Sequence, residues 1–204
     1  MYPSLPSKRQ DEKTPFGFYP YMDWKFWGTF AKLPCIFRNI PSMNRILIFV
    51  FLALSQILQA QDLDQIIDRY NTRSVDYASV EHLVMHRDLY IIIDTRARRE
   101  FEVSHIPGAI WLGEKPDKEN LAANINDKKR PILLYCSLGV RSEDYGERMQ
   151  RWGYNNIKNL YGGIFAWKDA GYDVVNAHNK KTDSIHVYNR HWGKYLHTGK
   201  KVYD

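Results

Sequence analysis

The alternation of apolar and polar positions predicts strands and helices in turn along residues 61–176. Continuous apolar runs, typical of strands that are covered on both faces, occur at 90–93 and 131–135, and a third strand is predicted at 157–160. Apolar residues recur at helical spacing in five segments, 62–70, 78–86, 117–125, 142–152 and 163–169, and two further short strands are predicted at 74–77 and 109–112. Strands that alternate with helices indicate an α/β domain with a mostly parallel sheet.

A different pattern precedes this region. Met43 and Arg45 are followed by an uninterrupted apolar run at 46–54, and Ala60 offers a small residue where a peptidase could cut. The apolar part ends at Leu58 and is shorter than the roughly 20 residues that a membrane span needs. Residues 43–60 are therefore predicted to be a cleaved signal peptide that exports the protein to the periplasm. An uncleaved membrane anchor over 46–58 and a buried core helix are the alternatives.

The prediction that translation starts at Met43 changes the meaning of the two cysteines. Residues 1–42 would then be an upstream extension that is not normally made, the alternative being a genuine cytoplasmic segment. Cys35 lies in this segment, so cleavage near Ala60 would leave Cys136 as the only cysteine. A lone thiol in an exported protein forms no internal disulfide, and reactivity is one explanation for it.

Charge is unevenly distributed along the chain. Residues 61–176 hold 16 Lys and Arg against 18 Asp and Glu, whereas residues 177–204 hold six against two. A nucleic-acid-binding core would carry positive charge on the fold itself, so this partner class is not expected. We interpret 61–71 as an N-terminal helix and linker and 177–204 as a basic, aromatic C-terminal extension that packs on the domain. The basic extension could also make a weak surface contact with a partner.

Cys136 ends the apolar run at 131–135 and precedes a predicted helix. The carboxyl ends of parallel strands form the ligand-binding edge of such sheets. Successive backbone N–H groups in a tight loop, together with the N-terminus of the next helix, favour anions and hence a nucleophilic thiolate. Gly139 permits a backbone conformation that most residues avoid, and Arg141 supplies a planar cation suited to oxyanions. A buried strand-end cysteine followed by an ordinary turn is the alternative.

Four stretches, taken together, resemble the rhodanese family of sulfurtransferases in order and spacing. The loop Cys136–Ser142 resembles the family's active-site loop. The other three are Ile93–Arg96 with Glu100 and Phe101, Ser104–Ala109, and Gly153–Gly163 with Trp167. The resemblance covers roughly residues 72–176. It implies a single three-layer rhodanese-like domain, with a central, mostly parallel five-stranded sheet and helices on both faces.

The resemblance also implies a persulfide mechanism without a cofactor or a metal. The Cys136 thiolate would take sulfane sulfur from thiosulfate or a persulfide donor and pass it to a thiol, or to cyanide in the test tube. The donor would be bound by the loop, at Ser137, Leu138, Gly139, Val140, Arg141 and Ser142. Related phosphatases have a loop that is one residue longer, so the six residues from Cys136 to Arg141 favour sulfur over phosphate. The family usually has glycine where Ser104 stands, and Leu138 could narrow the mouth of the site.

The residues outside the loop are expected to be supporting. Asp94 and Arg96 are expected to form a structural ion pair, and His105 a satisfied turn histidine rather than a general base. The leading hypothesis is an exported single-domain sulfurtransferase, and the alternative from another class is a non-catalytic binding or sensing module with this fold. A dithiol-redox or phosphatase-like enzyme is disfavoured, because no second cysteine is near and because the loop is short.

Overall fold

The computed structural model describes residues 46–48, 50–51 and 63–203. The chain divides into two compact units, 1–54 and 55–204. In the first unit, residues 46–48 and 50–51 are helical. The predicted extension at 1–42, Cys35 and the cleavage site at Ala60 lie outside the described residues. None of the helices that the structure describes is long and apolar enough to cross a membrane.

The second unit is an α/β domain that begins with helix α1 at residues 63–70. The other helices are α2 (Val80–Met85), α3 (Arg98–Val103), α4 (Lys118–Asn124), α5 (Val140–Arg151), α6 (Gly163–Asp169) and α7 (Arg190–Gly193). The strands are β1 (Tyr77–Ala78), β2 (Ile91–Asp94), β3 (Ile110–Trp111), β4 (Ile132–Tyr135), β5 (Ile157–Leu160), β6 (Val174–Val175), β7 (Lys181–Thr182), β8 (Ser184–His186) and β9 (Lys200–Val202).

Five of these strands form one parallel sheet in the order β1-β5-β4-β2-β3. Strand β4 lies at its centre, and all four of its residues are buried. Alternate residues of β4 point to opposite faces, as strand geometry requires. Ile132 and Leu134 join one apolar cluster with helices α4 and α5, whereas Leu133 and Tyr135 join the other with α2 and α6. The prediction of a three-layer α/β fold is confirmed.

The structure corrects several predicted boundaries. Strand β1 starts at Tyr77 instead of residue 74, because Val75 turns into the cluster beneath α5. Helix α2 starts at Val80, since the Ser79 side chain accepts the His82 N–H and caps it. Helix α5 starts at Val140, two residues earlier than predicted, with Gly139 at its N-cap. Helix α3 was not predicted at all.

The C-terminal segment 177–203 adds its own short elements to the domain. Strand β6 pairs with β7 in an antiparallel ladder, and β8 pairs with β9 in a parallel one. Ile185, Val187 and Leu196 are buried in the cluster that also contains α2 and α6. The packing of this segment is therefore continuous with the core on one face of the sheet.

Candidate active site

Cys136 follows β4 directly, and its side chain is buried. Its Sγ accepts the backbone N–H of Gly139 at 3.1 Å. Gly139 precedes α5, a helix of twelve residues, so the sulfur lies at the positive end of that helix. A strand end, a four-residue loop and a helix N-terminus thus place one sulfur atom where negative charge is favoured.

The conformation of Gly139 fixes this contact. Its φ is +102°, which only glycine adopts readily, and a Cβ there would lie 3.2 Å from the Leu160 carbonyl oxygen. The Gly139 carbonyl accepts two side-chain amides, Asn159 Nδ2 at 2.7 Å and Asn71 Nδ2 at 2.9 Å. Ser142 Oγ donates to Asn159 Oδ1 at 2.7 Å, which orients the Asn159 amide. Sequence reasoning missed Asn71 and Asn159, since neither belongs to a local motif.

The first turn of helix α6 donates backbone hydrogen bonds to the loop. The Ile164 N–H donates to the Cys136 carbonyl at 2.9 Å, and the Phe165 N–H donates to the Ser137 carbonyl at 3.2 Å. Gly163 brings the two backbones together, because a Cβ at this position would overlap the Cys136 carbonyl oxygen. The Gly162-Gly163 pair therefore allows α6 to pack closely against the backbone of the loop.

Arg141 is bound to a buried carboxylate. Its Nη1 and Nη2 donate to the two oxygens of Glu100, each at 2.9 Å, and Nη2 also lies 3.2 Å from Ser137 Oγ. Burial alone would raise the pKa of Glu100, but the hydrogen bonds and charge of Arg141 outweigh it and leave this pKa lowered. The cation of the loop is therefore fixed to α3 and its charge is locally compensated.

A pocket of about 150 Å³ opens at Cys136. It is lined by Cys136, Ser137, Leu138, Val140, Arg141, Tyr188 and Trp192. Five of these residues are in the predicted loop, whereas Gly139 and Ser142 support the loop from outside the lining. Tyr188 and Trp192 belong to the C-terminal segment, to whose aromatic residues the sequence alone assigned no role in the site.

The three predicted supporting residues lie outside this pocket. Arg96 Nη2 and Asp94 Oδ2 are 2.7 Å apart, both side chains are fully buried, and Arg96 also donates to the Ser104 carbonyl at 2.6 Å. His105 Nδ1 lies 3.0 Å from the Phe101 carbonyl oxygen, so this nitrogen carries the proton. These contacts fasten β2, α3 and the following turn to one another.

Comparison with known proteins identifies the domain. Residues 78–170 match the family model of the rhodanese-like domain. The chain contains a rhodanese-like domain. The match covers the strand end at Asp94, the loop after Cys136 and helix α6, whose backbone donates hydrogen bonds to that loop.

Relatives of the rhodanese-like domain differ in what surrounds it. A thiosulfate sulfurtransferase of Coxiella burnetii is 28% identical over 96 residues, which are 47% of this chain and 87% of the relative. An adenylyltransferase and sulfurtransferase of Candida albicans is 30% identical over 52% of this chain but only 25% of its own length. A tRNA uridine(34) hydroxylase of Bacillus thuringiensis is 35% identical over 41% of this chain and 27% of its own. This chain thus spans about a quarter of the length of two of these relatives.

A solved structure, a rhodanese with anions from E. coli, is 28% identical over 43% of this chain and 99% of its own, with a TM-score of 0.38. The residues of the rhodanese-like domain that the structure describes include no group of three or more His, Cys, Asp and Glu side chains able to hold a metal ion. The arrangement at Cys136 suits nucleophilic attack by sulfur on a small molecule that enters the pocket.

Proposed function

We propose that this chain is a sulfurtransferase that carries sulfane sulfur on Cys136 as a persulfide. The observation that supports this most directly is the contact of Cys136 Sγ with the Gly139 N–H at 3.1 Å, at the N-terminus of α5 and in the wall of an open pocket. A thiolate is stabilised there before reaction, and a terminal persulfide anion would be stabilised by the same helix end after it.

The first step loads the enzyme. The Cys136 thiolate attacks the outer sulfur of thiosulfate, a new S–S bond forms, and the S–S bond of the donor breaks. The electron pair of that bond leaves with sulfite, a dianion like thiosulfate, and the enzyme keeps one negative charge on the persulfide. The step needs no external oxidant or reductant.

The second step unloads it. A thiolate or cyanide attacks the outer sulfur of the Cys136 persulfide, and the Cys136 thiolate is the leaving group. Leu138 and Val140 line the pocket beside the sulfur, so the acceptor would meet an apolar wall before it reaches the persulfide. The similarity to a thiosulfate sulfurtransferase supports this chemistry, whereas the similarity to a hydroxylase leaves other partners of such domains open.

The proposed location of this activity is outside the cytoplasm, in the periplasm. It rests on the sequence pattern at 43–60, where a basic residue precedes a short apolar run. Expression in an exporting host tests it: a mature protein that begins at Gln61 supports export, and a protein that retains residues 43–60 contradicts the cleaved signal.

The pairing of Arg141 with Glu100 gives weight to a second candidate. A loop whose cation is already compensated holds anions less strongly, and a non-catalytic binding module would need no free cation. The two candidates differ in whether Cys136 changes covalently.

Intact-mass spectrometry after incubation with thiosulfate tests the proposal. The wild-type chain and Cys35→Ser should each gain the mass of one sulfur atom, and cyanide should remove it with formation of thiocyanate. Cys136→Ser should gain nothing. Sulfur transfer that survives Cys136→Ser, or a folded wild-type chain that takes no sulfur from any sulfane donor, would refute the mechanism and favour the binding module.

A further inference from the structure

Two aromatic side chains from the C-terminal segment complete the pocket at Cys136. Tyr188 and Trp192 line it together with the loop residues Leu138 and Val140. Both lie beyond residue 170, where the match to the rhodanese-like family model ends. This chain therefore builds part of its pocket wall from residues that the matched domain does not supply.

The segment that carries this aromatic pair is fastened to the domain. Asp169, at the end of α6, accepts the N–H groups of His197 and Thr198 at 3.0 and 2.7 Å. Lys168 Nζ and Asp183 Oδ1 form an ion pair of 2.7 Å. Together with the buried Ile185 and Val187, these contacts hold the segment to the domain both before and after the aromatic pair in the sequence.

Local structure sets the two rings in place. Tyr188 has φ +64°, and its N–H donates to His186 Nδ1 at 3.1 Å. The Asn189 side chain accepts the Trp192 N–H at 3.1 Å and begins α7. The Tyr188 ring lies over the guanidinium of Arg141, with 5.3 Å between the Arg141 Cζ and the ring centroid.

Charge at the pocket argues against a doubly charged ligand. Among the described residues, Arg141 is the one cationic side chain in the lining, and Glu100 already compensates it. Transfer of a dianion from water into a pocket with apolar walls is costly, and a monoanion loses less hydration. An apolar cavity of about 150 Å³ is large enough for a benzene ring. The pocket therefore suits a ligand with one negative charge and a small apolar group.

We propose, on the basis of the sulfurtransferase function above, that Tyr188 and Trp192 form an apolar subsite that selects organic thiosulfonates as sulfur donors over inorganic thiosulfate. The Cys136 thiolate attacks the terminal sulfur of the thiosulfonate, the S–S bond forms, and the bond between the two sulfurs of the donor breaks. Its electron pair leaves with an organic sulfinate, so one thiolate and one thiosulfonate become one persulfide and one sulfinate, with total charge unchanged.

Steady-state kinetics with three donors and cyanide as the acceptor tests this subsite. Benzenethiosulfonate, methanethiosulfonate and thiosulfate share the sulfur that is transferred and differ in the apolar group and the charge. We expect the wild type to have its highest kcat/KM with benzenethiosulfonate. Tyr188→Ala should lower kcat/KM for benzenethiosulfonate by about tenfold and change kcat/KM for thiosulfate little. Tyr188→Phe should retain the wild-type kcat/KM for benzenethiosulfonate.

Tyr203→Ala is the matched control, because Tyr203 is a tail tyrosine of nearly the same exposure, 41% against 42% for Tyr188, and it does not line the pocket. Comparing each donor between variants cancels the different intrinsic reactivities of the donors. A donor preference that Tyr188→Ala leaves unchanged overturns the subsite, and so does a Tyr188→Ala variant that is faster with every donor. In both cases, transfer from thiosulfate through Cys136 would still support the proposed function. A wild-type protein that transfers sulfur from none of the three donors would contradict both the sulfurtransferase function and the subsite.

Discussion

The guanidinium of Arg141 and the carboxylate of Glu100 are joined by two hydrogen bonds of 2.9 Å. Glu100 also accepts the Ala97 N–H at 3.0 Å, which closes the first turn of α3. One buried carboxylate therefore organises both a short helix and the cation of the loop after Cys136. This explains why α3 is stable although its six residues carry little helical pattern.

Glu100→Gln should destabilise the fold in a pH-dependent way. The folded-state pKa of Glu100 lies below its ordinary value of about 4.3, so its ionised form contributes stability above that pH, which is lost as the pH falls through the lower folded pKa. Urea unfolding at pH 7 should show a loss of about 2 kcal/mol, and the difference from wild type should shrink below about pH 4. Glu102→Gln is the control, because Glu102 is an exposed carboxylate that pairs with Arg98. If Glu100→Gln lowered the free energy of unfolding equally at pH 7 and below pH 4, the role of the charge would be contradicted.

Asn159→Asp should lower the reactivity of Cys136 indirectly, through the backbone of Gly139. The change replaces the amide that donates to the Gly139 carbonyl with a buried carboxylate, so the Gly139 N–H should no longer point at Sγ. In a Cys35→Ser background, we expect iodoacetamide to alkylate Cys136 of the folded Asn159→Asp variant about tenfold more slowly than Cys136 of the unchanged chain.

Asn156→Asp is the control for that change, because Asn156 is exposed and its side-chain amide donates to the Lys129 carbonyl at 3.2 Å instead of to the loop. It should leave the alkylation rate unchanged. Equal rates in the wild type and in Asn159→Asp would show that Asn159 has no positioning role.

Gly163→Ala should be far more damaging than Gly171→Ala, although both glycines have positive φ. A Cβ at Gly171 meets nothing within 4 Å, so that variant bears only the backbone cost of about 1 kcal/mol. A Cβ at Gly163 overlaps the Cys136 carbonyl, and we expect a loss of more than about 3 kcal/mol. Similar denaturation midpoints for the two variants would contradict the close packing beneath the loop.

Two buried tyrosines should respond in opposite ways to loss of their hydroxyl groups. Burial raises the pKa of Tyr145 to about 12, and its hydroxyl has no hydrogen-bond partner among the described residues, so Tyr145→Phe should leave stability unchanged or raise it by about 1 kcal/mol. The Tyr135 hydroxyl accepts the Ile106 N–H at 3.1 Å, so Tyr135→Phe should cost about 2 kcal/mol. Chemical denaturation of both variants measures the difference.

The parts of the fold that the sequence predicted are those with continuous local patterns. The apolar runs of β2 and β4 predicted their positions within a residue, because a central parallel strand is covered by apolar contacts on both faces. Helix α3 and strands β6 to β9 have two to six residues and depend on contacts with distant segments, so no period revealed them. Helix α5 starts two residues earlier than predicted because Gly139, which has a positive φ, sets its first turn.

The candidate site was predicted as far as the loop and no further. Cys136, Gly139 and Arg141 are close in sequence, and their spacing is informative on its own. Asn71 is 68 residues from the Gly139 carbonyl that it binds, and the pairing of Arg141 with Glu100 spans 41 residues. Tyr188 reaches the pocket only because the C-terminal segment folds back over the domain, which composition and charge do not reveal.

Leu138 lines both the pocket at Cys136 and a second cavity of about 330 Å³, which is bounded by α2, α6 and the C-terminal segment. A single aliphatic side chain therefore belongs to the walls of both the small cavity at the thiol and the larger one. A smaller side chain at position 138 would enlarge both cavities at once, while the backbone contacts that hold the sulfur of Cys136 stay in place.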